Sequence, residues 1–158
     1  MAKANDSGQS LLEVAFALWV FLLLVFGIMD FGYLMSTKAT LQNAVRQAGR
    51  YAITGNCITG ADGSCSMTRY NSIVQTLENT SLGLINNGNV SSDLTIACTN
   101  QGGGCPNNAG GPGDVVTISV SYPYPFITPW IAPFFPSRSY TINVSAAVTN
   151  EPFPPGQS

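Results

Sequence analysis

The sequence predicts an α+β protein in which a long N-terminal helix, membrane-spanning and then amphipathic, carries a small antiparallel-sheet head. Three observations point to it. Val14 to Met29 is a run of sixteen residues without a formal charge. Ser36 to Ile53 repeats apolar residues at three- and four-residue spacing, and no proline falls between Leu11 and Thr54. Val115 to Tyr122 and Tyr140 to Val148 alternate apolar with polar residues, as strands covered on one face do.

The apolar run is long enough to span a bilayer. A helix rises about 1.5 Å per residue, so Leu11 to Asp30 covers roughly 30 Å, the thickness of a hydrocarbon core. Glu13 then sits at one membrane face and Asp30 at the other. Beyond Met35 the helix continues, with Thr37, Leu41, Ala44, Val45, Ala48 and Ala52 on one face and Lys38, Gln42, Arg46 and Arg50 on the opposite ridge. The whole is one helix of about 40 residues, roughly 60 Å long. Because helix continues where a cleavage site for ordinary signal peptidase would lie, removal of the apolar segment is not expected. Gly27, Gly32 and Gly49 weaken it or mark close packing, and Gly55 stops it.

The chain divides into a short polar segment (1–8), the helix (9–54) and a head (55–158). The helix leaves roughly 110 residues, enough for one small domain and too few for two. Only 9% of residues are charged, the net charge is -2 and histidine is absent. Nucleic acid is therefore not an expected partner. The commonest general base and metal ligand is missing, and no nucleophile–base pair or phosphate-cradling loop can be assembled. The expectation is a protein that is not an enzyme and holds no cofactor or metal.

The four cysteines, Cys57, Cys65, Cys98 and Cys105, all follow the apolar run, in Gly/Asn/Ser/Thr-rich surroundings. They predict disulfides in an oxidising compartment. Spacing favours Cys57–Cys65 and Cys98–Cys105, although four cysteines permit three pairings. Seven and six residues separate the members of these pairs, which fits a zinc knuckle poorly. Orientation follows from the same residues. Lys38, Arg46 and Arg50 argue against an outward C-terminal side under the positive-inside rule, but the cysteines and the tiny N-terminal tail place the N-terminus inside and the head outside.

Within the head, residues 55–67 form a turn-rich loop. A second helix runs from about 67 to 82 with Tyr70, Ile73, Val74 and Leu77 on its apolar face. Residues 86–89 are a turn, Leu94 to Cys98 a strand, and 99–113 a surface loop. About three strands, with the amphipathic helix across one face, complete the domain. Residues 123–136 contain five prolines among Phe126, Trp130, Phe134 and Phe135, and predict neither helix nor central strand. So apolar a stretch either contacts a neighbouring subunit, a partner or lipid headgroups, or folds back over the head's own core.

Gly8-Gln9-Ser10-Leu11-Leu12-Glu13, set directly before an apolar helix, resembles the site cut by type IV prepilin peptidases. By that likeness cleavage falls between Gly8 and Gln9, and residues 1–8 are a leader. The resemblance extends along the helix, through Gly27-Ile28-Met29-Asp30-Phe31-Gly32 and Leu41-Gln42-Asn43-Ala44 to Arg46, Arg50, Tyr51 and Ala52. This segment is similar to the N-terminus of TadE-like proteins, pilin-related subunits of tight-adherence pilus systems. Asn150-Glu151-Pro152 also looks like the family's C-terminal end, whereas residues 55–113 carry no resemblance. Two departures stand out: Val14 replaces a frequent Phe, and Leu18-Trp19 replaces a Leu-Pro pair, which favours an unbroken helix.

The resemblance implies a pilin-like fold whose apolar helices bundle as a filament core. A carboxylate within a membrane helix is costly, about 2.5–3.5 kcal/mol at the bilayer centre and less at the edge. The free amine of an adjoining subunit is the expected partner for Glu13, and Asp30 is a second assembly candidate. The implied partners are copies of the chain or other pilins, a prepilin peptidase, an inner-membrane assembly platform, and membrane lipid before assembly. The implied location is the cytoplasmic membrane as precursor and then an extracellular, adhesive pilus. The alternative is a monomeric single-pass envelope protein that binds a partner through its head.

Overall fold

A computed structural model describes residues 6–61, 63–86, 94–100, 103–104, 109–130, 132–135 and 137–152. The first helix, α1, runs unbroken from Asp6 to Ile53. It passes through Gly27, Gly32 and Gly49 without interruption, and no proline removes an i to i−4 bond. The chain forms two compact units, Met1–Met35 with Pro125–Tyr140, and Ser36–Tyr124 with Thr141–Ser158.

The second unit holds the hydrophobic core. From α1 it takes Leu41, Ala44, Val45, Ala48 and Ala52, all buried, while Lys38, Gln42, Arg46 and Arg50 are exposed as the spacing predicts. The second helix, α2 (Arg69–Thr80), adds buried Ile73 and Leu77. Thr68 caps it: its hydroxyl accepts the Asn71 N–H at 3.3 Å, satisfying one of the orphan donors of the first turn. After Ser81 the chain leaves the helix through Leu82 and Gly83, both at positive φ.

Among the described residues four strands form one sheet: β1 (Leu94–Asn100), the two-residue β2 (Gly103–Gly104), β3 (Val115–Pro125) and β4 (Ser139–Thr149), in the order β2-β1-β3-β4. β1 runs antiparallel to β3 with Leu94 opposite Val120, Ile96 opposite Ile118 and Cys98 opposite Val116. This register sets Ile96 and Cys98 beside Val116, Ile118 and Val120, and all five are buried. Ile142 and Val144 of β4 complete the layer. Gly49 of α1 meets β4, where a Cβ would lie 3.1 Å from Cγ1 of Val148. That glycine is a close-packing site; Gly27 and Gly32 have no atom within 4 Å of where a Cβ would stand.

Three sequence expectations need correction. The strand expected to end at Tyr122 continues through Pro123, Tyr124 and Pro125. β1 begins opposite Val120, so beyond that residue a proline's missing N–H removes no bond to β1. The proline-rich stretch also contains a short 3-10 helix, Ala132–Phe134; such a turn needs few backbone donors. Finally, the loop expected over 99–113 contributes the end of β1 and all of β2.

Candidate functional site

The first unit is where lipid and assembly chemistry would reside. From Leu11 to Met35 most of the large apolar side chains of α1 are exposed, with Val25 and Leu34 half-buried, and the helix is long and apolar enough to cross a membrane. Gly8 and Gln9 lie exposed in its opening turns. Glu13 is exposed one turn further on, with no hydrogen bond or ion pair to its carboxylate among the described residues.

Asp30 is different. Although surrounded in sequence by apolar residues, it is only 4% exposed. Its Oδ1 accepts the backbone N–H of Ile127 at 3.0 Å and its Oδ2 accepts that of Thr128 at 3.1 Å. A carboxylate receiving two backbone amides is a strong, charge-assisted anchor. It fastens the turn after β3 to α1. One helical turn earlier, Phe26 meets Trp130 edge-on, with ring centroids 6.4 Å apart. Phe126 and Phe135 lie ring against ring at 4.5 Å. Phe134 ends the 3-10 turn, its side chain outside the described set. Phe26, Ile127, Thr128, Pro129 and Trp130 line an open apolar cleft of about 180 Å³.

The second unit contains a polar hub that residue patterns do not reveal. Arg69, the first residue of α2, is 2% exposed, and its guanidinium donates to the carbonyls of Ala52 and Gly110. Burial pulls its pKa below the ordinary value, a shift partly countered by the Asp114 carboxylate. Asn150 donates through Nδ2 to the carbonyls of Ala109 at 3.0 Å and Gly111 at 2.9 Å. Asp114 Oδ2 accepts the Gly111 N–H at 2.6 Å. Gly110 has φ +74°, and a Cβ there would lie 3.1 Å from Cβ of Asp114 and 3.3 Å from Nδ2 of Asn150. Ile53 accepts the N–H of Glu151 at 3.1 Å, so the last carbonyls of α1 are satisfied from two other segments. The sequence marks that could have pointed to it are Gly111-Pro112-Gly113-Asp114, rich in turn-forming residues, and the ending Asn150-Glu151-Pro152.

Cys57 and Cys65 are joined in a disulfide, with Cα atoms 5.6 Å apart. Cys98 is also disulfide-bonded; Cys105, its expected partner, lies outside the described residues.

A long apolar helix with an exposed N-terminal half, continuing into an α+β unit with a small antiparallel sheet, fits a pilin-like fold whose helix is suited to membrane anchoring. The family model described as TadE-like protein matches residues 8–50, from the Gly8 motif to the last turn of α1. The chain thus carries a TadE-like segment over nearly all of its first helix. No curated protein and no solved structure matches the chain.

Proposed function

We propose that the protein is a structural pilus subunit of TadE-like type. It is inserted in the cytoplasmic membrane through α1 and then drawn into an extracellular filament, major or minor, by bundling of that helix with other pilins. The observation that carries the reading is the N-terminal half of α1. From Leu11 to Met29 most of its large apolar side chains are exposed, and among the described residues Glu13 has no hydrogen-bond or ion-pair partner. Bundling exchanges lipid for neighbouring helices, so the apolar surface stays out of water in both states. An unpaired carboxylate at one end supports pairing with a cation, and the amine released by cleavage after Gly8 would supply one. A prepilin peptidase makes that cut and an inner-membrane platform assembles the subunits.

Fractionation tests this. Sheared surface material should contain the chain with Gln9 as its first residue, and Glu13→Ala should abolish its appearance there while membrane levels persist. A chain found only in membranes, never in sheared fibres, would instead be the single-pass anchor whose head recruits a partner.

A further inference from the structure

We infer that the turn Phe126–Trp130 is a second membrane-contacting element, seated at the outer glycerol–acyl boundary of the bilayer that α1 spans. This rests on the reading of α1 as membrane-spanning and concerns the membrane-held form. Asp30 closes the roughly 30 Å apolar span that begins at Leu11, which puts its carboxylate at the hydrocarbon edge. The turn is tied to that point by the Ile127 and Thr128 amides. Trp130 lies against Phe26, four residues back along α1 and about 6 Å to the apolar side of Asp30. An indole at that depth occupies the aromatic belt, its apolar body toward acyl chains and its N–H toward headgroups.

The turn is built for such a place. Ile127 is 63% exposed and Trp130 54% exposed, a large apolar surface to leave in water. No charged residue occurs from Pro123 to Pro136. Backbone donors are costly in lipid unless satisfied. Here Pro125 and Pro129 have none, and those of Ile127 and Thr128 are taken by Asp30. Asp30 therefore serves two ends: it satisfies the loop's amides, and its own charge is covered by them and hidden from lipid. Continuity with the exposed apolar face of α1 favours lipid as the occupant over a second copy of the chain.

The test uses the full chain with Trp19→Phe, which leaves Trp130 as the sole tryptophan, in phosphatidylcholine–phosphatidylglycerol vesicles. Trp130 should emit at blue-shifted wavelengths and resist acrylamide. Lipids brominated near the top of the acyl chain should quench it more than lipids brominated near the methyl end, unchanged when the protein is strongly diluted in lipid. Asp30→Ala in this background should lose most of the bromolipid quenching while the protein still resists carbonate extraction. Water-like emission from carbonate-resistant protein overturns the inference and leaves the membrane span intact. Quenching that grows on dilution also overturns it, since another copy of the chain then covers the face. Undiminished quenching in Asp30→Ala refutes the tether. Carbonate-extractable protein would bring down the membrane span itself.

Discussion

Replacing Arg69 by methionine removes a buried cation whose two carbonyl partners lie on different parts of the second unit. Ala52 O is near the end of α1 and Gly110 O is in the turn before β3. Methionine fills similar volume but donates nothing, so Gly110 O loses the Arg69 bond and Ala52 O keeps only the longer bond from the Gly55 N–H, at 3.4 Å. At about 1–3 kcal/mol for a buried group left unsatisfied and about 1 kcal/mol for the bond lost at Ala52 O, the gross loss is roughly 2–4 kcal/mol. The wild-type residue already bears a desolvation cost, visible in its lowered pKa. Relief of that cost brings the net to about 1–3 kcal/mol. For a unit of this size that is a fall in Tm of roughly 4–20 °C. Near-UV circular dichroism of the full chain in detergent micelles reads the transition. Arg50→Met, at an exposed position of α1, is the control and should stay within about 0.5 kcal/mol of wild type. A melt of Arg69→Met that overlays the control would show that the guanidinium does not hold these segments together.

Gly110→Ala should lower stability by about 1–3 kcal/mol, because φ +74° and the approach of Asp114 and Asn150 both resist a Cβ; the same melt measures it. Leu77→Ala, at a fully buried position of α2, should cost about 2–5 kcal/mol in denaturant unfolding. Reduction of the Cys57–Cys65 bridge, a sequence separation of 8, should remove about 2–3 kcal/mol on chain-entropy grounds, read as a lower Tm for Cys57→Ser/Cys65→Ser. Arg69 also sets a pH expectation. A base with a lowered folded pKa is less favourably protonated in the native state than in the unfolded chain. Its desolvation penalty is therefore present in full below the folded pKa and is lost as pH rises from that value through the ordinary arginine pKa, so stability rises with pH only across that strongly alkaline window. Titrating the melt of Arg69→Met against wild type from pH 5 to 9 should show a constant difference.

The parts of the fold made by periodic patterns were legible in advance. The burial of Leu41, Ala44, Val45, Ala48 and Ala52 against exposed Lys38, Gln42, Arg46 and Arg50 follows from 3.6-residue spacing alone. The alternation of β3 and β4 follows likewise from a period of two. The contacts that organise the candidate site are of another kind. Asp30 meets amides 97 and 98 residues away, and a backbone N–H leaves no mark on composition or spacing. From sequence its carboxylate looked like the outer end of a membrane span and a candidate for assembly. Arg69 was invisible for the same reason, since its partners are carbonyls. The extension of β3 through two prolines depended on how short its neighbour β1 is, which no local rule supplies.

The end of α1 has a mechanical consequence. Helix termini ordinarily fray, but here Ala52 O is held by the Arg69 side chain and Ile53 O by the Glu151 amide. These come from stretches of chain far apart in sequence, before β1 and after β4. Tension applied along the helix, as a fibre under drag would apply it, has to rupture both grips before the last turn can peel away. The load is thereby passed to the sheet's final strand and to the second helix together, rather than to the covalent link at Thr54 alone.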